Sequence, residues 1–529
     1  MVKRLRVLAL HGGVVWMLAP ALALAQSPAV KVTAVRIEGN TLLPAATLTG
    51  LTAHMPGSAP DLAALNALAA KIQQAYREAG YGGVVAYVPP QESADGSVVV
   101  RVVEGRLAAV RVSGNTHFST ANVRAGLVHL REGSTPHVRA IDRDIQLTNS
   151  NPAKHVNVSL TAGARPGEID ADVKVVDARP VQYLVGYSNT GTALTGRHRV
   201  NVGIEHANLF GRDHVGTFQY QTSPEHPDRV RIFSAGYRVP LYRHGASFDA
   251  FVARSTVNNG TTATVAGPLT FTGRGTIVGL RANRHLERRG EYDHHVTLGL
   301  DRRAYEDDCA IGDFGEAGCG SAAVDVTTLP LSLGYTGQKS ARALAYGINA
   351  TLALNAGGSG QAIFEAARPG ARRHYLVSRF SVFVDKPLGT AVTLKARLEG
   401  QYSADPLISA EKFAIGGAAS VRGYREREVS GDHGLLLRAE AWGANIDWSG
   451  GASVRPYAFL DHARVDNRGD QPCQGLATDS CSLTGAGIGA RLRLGQRAGA
   501  SVDLARAMQR GGSSAAGDMR AHLALNLAF

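Results

Sequence analysis

Short segments that alternate apolar and polar residues fill the chain from Val181 to its last residue, and no long helical periodicity interrupts them. The final segment shows this most clearly, with Leu523, Leu525, Leu527 and Phe529 on one side and His522, Ala524, Asn526 and Ala528 on the other. About sixteen such segments can be counted, each long enough to cross a bilayer as a tilted strand. The pattern predicts an all-β transmembrane barrel of antiparallel strands over residues 180–529.

The connections between these segments differ in length. Four are tight, at residues 211–214, 242–245, 387–390 and 495–498, and four are long, at 306–322, 355–373, 405–433 and 466–482. Outer-membrane barrels have short turns on one side and long loops on the other. A soluble β-sandwich would alternate similarly and is the alternative fold. The loop asymmetry and a last strand ending in Phe529, which resembles the signal read by the bacterial barrel-assembly machinery, favour the barrel.

A tandem repeat precedes the alternating region. The segment AVRIEGNT at residues 34–41 recurs as AVRVSGNT at residues 109–116. In each copy an opening strand is followed by two helical stretches and two further strands, and Asp61 is a suitable N-cap for the clearest helix. The sequence therefore predicts two small α+β domains, at residues 31–105 and 106–179. They would be spacers or binding modules.

The first 25 residues are typical of a targeting segment. Lys3, Arg4 and Arg6 precede an apolar stretch, and Ala23-Leu24-Ala25 provides a cleavage site before Gln26. This order predicts a signal peptide at residues 1–25 and an exported protein. Export permits disulfides, so we expect Cys309 to pair with Cys319 and Cys473 with Cys481, pinning two outer loops. Four free thiols are the alternative.

The chain is basic, with 56 Lys and Arg against 44 Asp and Glu. The arginines are scattered through the alternating segments without a basic helix, so a wet, arginine-rich barrel interior explains them better than nucleic-acid binding. No phosphate-binding loop or nucleophile elbow occurs, and the adjacent His294 and His295 point to opposite faces of a strand. We therefore expect no enzyme activity, no cofactor and no metal.

A glycine-rich run in the sixth predicted outer loop, at residues 405–433, carries Val421, Arg422, Gly423 and Tyr424, and the thirteenth predicted strand carries the element Phe459-Leu460-Asp461. With the two repeats and the run VEGR at residues 103–106, these motifs resemble those of two-partner secretion transporters. That family is called TpsB and includes the haemolysin secretion/activation proteins ShlB, FhaC and HecB. The resemblance covers nearly all of the mature chain and identifies the repeats as POTRA domains.

The resemblance implies that the sixth loop folds back into the barrel and that Arg422 contacts Asp461. Strand alternation places Phe459 and Asp461 on the inner face and Leu460 on the outer face. It also turns Arg438 and Glu440 inward on the twelfth strand and Arg491 and Arg493 inward on the fourteenth. Plain solvation of a wet lumen is the alternative role for these four charged residues. Because only about six residues separate the cleavage site from Val32, there is no room for the N-terminal plug helix of many members, and closure of the resting pore would fall to the sixth loop.

By resemblance, the protein exports a partner exoprotein of TpsA type to the bacterial cell surface by type V secretion, without ATP. The POTRA repeats would bind this haemolysin- or adhesin-like, β-helical cargo in the periplasm, and the barrel would conduct it through the outer membrane. Other expected partners are outer-membrane lipid, lipopolysaccharide and, during insertion, the barrel-assembly machinery; no nucleic acid is expected. The alternatives are a barrel-assembly or insertase-type protein, which usually has more repeats, and a porin, which needs none.

Overall fold

The computed structural model describes residues 31–91, 95–193, 195–257, 260–271, 274–306, 324–469, 471–473 and 477–529. The predicted signal peptide and the predicted pair Cys309–Cys319 lie outside these residues. The chain forms two units. One is the part up to Ala79 together with Val84–Glu104, and the other is Gly80–Gly83 with everything from Gly105 onwards.

The first repeat has the predicted order of one strand, two helices and two strands: β1 (Ala34–Glu38), α1 (Ala45–Thr52), α2 (Leu62–Glu78), β2 (Val84–Tyr87) and β3 (Ser97–Glu104). Helix α2 begins at the predicted cap, where the Asp61 side chain accepts a 2.7 Å hydrogen bond from the Ala64 amide. Its apolar stripe buries Leu68, Ile72 and Tyr76. The sheet order is β1-β3-β2, so β1 and β2 are the edge strands.

The second repeat has the same order: β4 (Arg106–Ser113), α3 (Thr120–Gly126), α4 (Val138–Thr148), β5 (Lys154–Ala162) and β6 (Glu168–Asp177). Its sheet order is β4-β6-β5, with β4 parallel and β5 antiparallel to the central β6. Leu107, Phe118 and Val173 lie in its buried core. Among the described residues no helix is both long enough and apolar enough to cross a membrane.

The remainder of the described chain forms a closed antiparallel barrel of sixteen long strands. They are β7 (Val181–Ser188), β8 (Arg199–Leu209), β9 (His214–Thr222), β10 (Arg231–Leu241), β11 (Ala246–Ser255), β12 (Arg274–His285), β13 (Tyr292–Glu306), β14 (Val326–Ser340), β15 (Ala345–Gly358), β16 (Leu376–Leu388), β17 (Val392–Ser403), β18 (His433–Trp442), β19 (Ala452–Asp466), β20 (Ser480–Leu494), β21 (Ala498–Ala507) and β22 (Met519–Ala528). The barrel closes where β22 pairs with β7. This closure excludes the sandwich alternative.

Alternation along the strands separates an apolar outer wall from a polar interior. Leucines such as Leu298, Leu333 and Leu437 are exposed on the outside. Inside, cross-strand ion pairs join Arg238 to Asp249 at 2.7 Å and Arg281 to Asp301 at 2.5 Å. A barrel in lipid requires this arrangement, because charges on the lipid side are costly and charges in a wet lumen are not.

The short turns and long loops fall on opposite rims of the barrel, as the sequence predicts. The turns include 210–213, 242–245, 389–391 and 495–497. On the other rim, the fifth loop contains α5 (Gln361–Ala367), and the sixth loop, residues 404–432, is folded throughout. The sixth loop carries the candidate site.

Candidate functional site: the sixth loop inside the barrel

The sixth loop forms a small hairpin whose tip is buried against the barrel wall. Two three-residue strands, Phe413–Ile415 and Val429–Gly431, pair antiparallel and carry the tip between them. Val421, Arg422 and Tyr424 in this tip have no exposed surface. A loop of this length stays ordered only if its contacts outweigh about 1–2 kcal/mol of backbone entropy per residue.

Arg422 is held by the carboxylate of Asp461 on β19. Its Nε donates to Asp461 Oδ2 and its Nη2 to Oδ1, both at 2.7 Å, and its backbone amide donates to Oδ2 at 3.1 Å. The Phe459 ring lies under the guanidinium, with 3.5 Å between the ring centroid and the guanidinium carbon. The structure thus brings together the loop arginine and the strand element that the sequence analysis paired. A planar guanidinium suits this bidentate and stacked geometry, which a lysine cannot reproduce.

Two more carboxylates face the same arginine. Glu440 on β18 lies 2.9 Å from Arg422 Nη2, and Asp503 on β21 lies 3.9 Å from Nη1. Arg438 lies 3.7 Å from Glu440 and 3.8 Å from Asp461, and Arg491 lies 3.2 Å from Asp503. Three cations and three carboxylates therefore balance in one cluster. Asp503 was missed from the sequence, although strand alternation turns it inward.

Two glycines allow the loop backbone to touch the wall. Gly423 has φ of +95°, and a Cβ there would lie 2.8 Å from the Arg506 carbonyl carbon of β21. On the wall itself, a Cβ at Gly485 of β20 would collide with the carbonyl oxygen of Arg422. Any larger residue at either position would push the loop away from β19 and lengthen the Arg422–Asp461 contacts.

Apolar packing and one disulfide complete the attachment of the tip. Val421 and Tyr424 share a buried cluster with Cys473 and Cys481, which are joined by a disulfide across the seventh loop. The Tyr424 hydroxyl lies 2.9 Å from the carbonyl oxygens of Thr484 and Gln509. The tip is thereby fixed to β20 and to the eighth loop as well as to β19.

The base of the sixth loop has its own buried charges, which sequence reasoning missed. Glu411 lies 2.9 Å from Arg303 on β13 and 3.0 Å from Arg379 on β16. The Asp432 carboxylate accepts hydrogen bonds from both Nη groups of Arg368, at 2.5 and 2.8 Å. Arg368 directly follows α5. Glu411 and Asp432 are isolated acidic residues in a loop, and nothing local in the sequence indicates their partners.

The second repeat is attached to the short-turn rim through a buried polar hub. Lys154 of β5 donates at 2.6 Å to Asp213 in the turn after β8, and Tyr242 in the next turn donates to the same carboxylate at 2.6 Å. Lys154 and Asp213 are almost fully buried, and the Lys154 ammonium lies 4.9 Å from the centroid of the Phe118 ring. Burial lowers the pKa of Lys154 and raises the pKa of Tyr242, in the latter case reinforced by Asp213.

Arg493 stands apart from these clusters. It lines a cavity at the short-turn end of the lumen and makes no ion pair among the residues that the structure describes. The structure therefore brings Arg438, Glu440 and Arg491 to Arg422 but leaves Arg493 elsewhere.

Comparison with known proteins gives a consistent result. Residues 167–492 match the family model described as haemolysin secretion/activation protein ShlB/FhaC/HecB, and residues 30–105 match the ShlB-type POTRA domain. The outer membrane transporter CdiB of Dickeya dadantii (strain 3937) is 24% identical over 440 residues, which cover 78% of this chain and 72% of that protein. The heme/hemopexin transporter protein HuxB of Haemophilus influenzae (strain 86-028NP) is 21% identical over 393 residues, which cover 73% of this chain and 66% of that protein.

Among solved structures, CdiB from Escherichia coli superposes with a TM-score of 0.75 at 20% identity, covering 97% of this chain and 93% of that one. At this identity the likeness shows the fold. In such proteins the barrel lies in the outer membrane and the POTRA domains lie in the periplasm, and this protein is placed in the same way. The family match spans more than half of the chain, so the protein belongs to the haemolysin secretion/activation family ShlB/FhaC/HecB, a family of two-partner secretion transporters.

Proposed function

We propose that this protein exports a partner exoprotein from the periplasm to the cell surface by two-partner, or type Vb, secretion. The partner is a haemolysin- or adhesin-like protein of β-helical fold that reaches the transporter unfolded. The POTRA repeats bind it and the barrel conducts it. Export uses no ATP, and folding of the partner outside the cell helps to drive its transit.

The exposed edge of β2 in the first repeat carries this proposal. Strand β2 pairs with β3 on one side only, and its side chains Val85 and Tyr87 are 51% and 39% exposed. An extended peptide can add to such an edge through main-chain hydrogen bonds, which read little sequence, while alternate apolar side chains add affinity. An unfolded client that must be held and then released needs recognition of this kind.

The sixth loop supplies the second requirement of a transporter, which is a lumen that is closed at rest. Its tip is bonded to β19 through Arg422 and its base to β13 and β16 through Glu411. We propose that the loop occupies the path of the partner and moves during export. Closure then rests on side-chain contacts that can re-form, so the pore can close again after each passage.

The test is secretion of the partner by cells in which the β2 edge carries charges. Val85→Lys combined with Tyr87→Lys places two ammonium groups on the edge, a device that blocks strand addition in natural sheets. We expect secretion to fall while the amount of transporter in the outer membrane stays unchanged. Val176→Lys is the matched control, because Val176 is 74% exposed but lies on the central strand β6, where no strand can add.

Normal secretion by the Val85→Lys, Tyr87→Lys variant would contradict cargo binding at β2. Levels of unrelated outer-membrane proteins should be measured in the same cells. A fall in those levels with secretion intact would instead support the alternative role in barrel assembly.

A further inference from the structure

The short-turn end of the lumen contains a cavity of about 1120 Å³ whose charged lining is entirely cationic. It lies inside β17–β22 and reaches the turn between β20 and β21. Among the residues that the structure describes, five basic side chains and no carboxylate line it: Lys395, Arg455, Arg491, Arg493 and Arg497. Arg238 and Arg281, elsewhere in the lumen, are each matched by a carboxylate across the strands, whereas the lining of this end has an excess of positive charge.

The five cations differ in how many hydrogen bonds and ion pairs they make with the protein. Arg491 pairs with Asp503 at 3.2 Å, and Lys395 pairs with Asp385 at 3.3 Å. Arg455 donates to the Gly443 carbonyl and the Thr393 hydroxyl, at 2.9 and 2.7 Å, and pairs with no carboxylate of the described part of the chain. Arg493 and Arg497 are exposed and make no ion pair within the described chain. Two guanidinium groups are thus free to bind an incoming anion.

An aromatic side chain orders part of this cationic wall. Around the Trp442 ring centroid stand Lys395 Nζ at 4.7 Å, and the guanidinium carbons of Arg455 at 5.4 Å and Arg491 at 5.9 Å. Contact with an indole favours a cation but does not use up its hydrogen-bond donors. Trp442 therefore holds these three cations in place, while Arg493 and Arg497 stay on exposed side chains.

We propose that this cavity binds acidic segments of the partner polypeptide as they enter the barrel. The inference rests on the export function proposed above and adds that this cavity favours the acidic parts of the partner polypeptide. Guanidinium groups bind carboxylates in bidentate fashion, and a cleft lined by one sign of charge concentrates ligands of the other sign. The cavity faces the lumen, so membrane lipid is excluded as its ligand. Its volume exceeds the roughly 300–1,000 Å³ of small-molecule sites, which favours a larger ligand such as a polypeptide segment.

Weak binding suits this position in the path. A conduit must hold a passing group well enough to admit it and loosely enough to release it. Exposed cations meet both needs, because water and salt screen them. The cavity adjoins the Arg422 cluster through Arg491, which lines the cavity and pairs with Asp503. An acidic segment bound here would compete with Asp503 for Arg491 and so act on the carboxylates that hold the loop tip.

Binding of a fluorescein-labelled ten-residue oligoglutamate to the purified full-length protein tests the proposal by fluorescence anisotropy at low salt. We expect wild type to bind it, with affinity falling as salt is added, and Arg493→Gln with Arg497→Gln to weaken binding about three- to thirty-fold. The matched control is Arg464→Gln with Arg372→Gln, which removes two charges at the outer rim. That variant should bind as wild type does.

Four results would overturn the proposal: no binding by wild type, equal weakening in both double variants, equal binding of oligolysine, or displacement of the peptide by inorganic phosphate at matched charge. The last would make the cavity a site for free anions. Secretion of the partner is a separate readout. A wild-type protein that binds oligoglutamate but exports no partner would refute the export function and leave the ligand class of the cavity standing.

Discussion

Arg422 and Asp461 lie 39 residues apart in the sequence and form an ion pair in which neither side chain has any exposed surface. Three N–H groups of one residue are directed at a single carboxylate. A buried ion pair recovers the cost of leaving water only through close geometry and added hydrogen bonds. This pair has both at Nε and Nη2 of Arg422, while Nη1 makes no hydrogen bond within the described residues and has Asp503 3.9 Å away. The pair therefore fixes where the tip of the sixth loop can lie, and it should be sensitive to any change in either partner.

Arg422→Ala should release the loop tip more than Asp461→Ala does. The first change leaves Asp461, Glu440 and Asp503 without their shared cation, which costs about 3–5 kcal/mol for a buried pair. After the second change Arg422 still has Glu440 at 2.9 Å. Trypsin cleavage at Arg425 and Arg427 on intact cells measures exposure of the tip. It should rise strongly in the first variant and moderately in the second.

The double variant should resemble Arg422→Ala alone, because the arginine is common to all of these contacts. Arg422→Lys should restore only part of the protection, since lysine lacks the planar fork. Arg464→Ala is the control, as this arginine lies on the same strand as Asp461 but pairs with Asp466 at the outer rim. Equal cleavage in both single variants, or additive effects in the double, would show that the tip is held by other contacts.

Glu411→Gln should loosen the base of the sixth loop and leave its tip in place. An amide cannot neutralise either arginine, but Arg303 keeps Asp301 at 2.7 Å and the Arg379 side chain is 35% exposed. The cost should therefore stay below the about 3–5 kcal/mol of a fully stranded buried charge. Hydrogen exchange should speed up in the hairpin of Phe413–Ile415 and Val429–Gly431. Trypsin cleavage at the tip should rise less than it does in Arg422→Ala.

Glu365→Gln provides the comparison for that experiment, because Glu365 is an exposed carboxylate on α5 that accepts a local hydrogen bond from the Gly370 amide. If Glu411→Gln exchanges like Glu365→Gln, the base of the loop is held by its apolar residues.

Lys154→Met should loosen the second repeat from the barrel rim. It leaves Asp213 buried without a cation, a change that costs about 3–5 kcal/mol in comparable pairs. Adding Asp213→Asn should recover part of that loss by removing the stranded charge, and asparagine tolerates the φ of +61° at this turn. Protease cleavage of the connection between β6 and β7 reports the attachment.

The same interface contains its own control. Arg139 and Glu287 form an exposed ion pair at 3.8 Å between α4 and a barrel turn. Arg139→Met should change cleavage little, since exposed pairs contribute under about 1 kcal/mol. If it loosens the repeat as much as Lys154→Met does, burial of the hub is not what fixes the attachment.

The alternation of apolar and polar residues was sufficient to predict the barrel. Each barrel strand faces lipid on one side and the wet lumen on the other, so its apolar and polar residues alternate with a period of two. It also predicted the inward turn of Arg438, Glu440 and Arg491. The Arg422–Asp461 contact came instead from resemblance to a family. Glu411 and Lys154 were missed because their partners lie 32 to 108 residues away and share no pattern with them. Gly485 leaves room for the Arg422 carbonyl oxygen, a contact that only the folded loop reveals.

The two repeats should lose stability in acid, each through one carboxylate. Burial would raise the pKa of Glu104, but hydrogen bonds from Thr41, Tyr76 and Leu42 hold it below its usual value. The same holds for Asp177 in the second repeat. Burial would raise its pKa, but hydrogen bonds from Thr116, His117 and Phe118 lower it below the usual value. A carboxylate with a lowered pKa stabilises the folded state fully above its unfolded pKa, about 4.3 for Glu and 3.9 for Asp, and this contribution is lost as pH falls through the folded value.

Hydrogen exchange of the full-length protein between pH 7 and pH 3, corrected for intrinsic exchange, tests this in both repeats at once. Glu104→Gln should lower the stability of the first repeat at pH 7 and remove most of its acid sensitivity, while the second repeat keeps its own. Asp177→Asn should do the reverse. Each change removes charge-assisted hydrogen bonds worth about 1.5–3 kcal/mol. Glu132→Gln, which removes an exposed carboxylate paired with Arg124, should alter neither repeat. If both repeats keep their acid sensitivity in all three variants, other carboxylates cause it, and the hydrogen bonds that Glu104 and Asp177 accept are only local turn contacts.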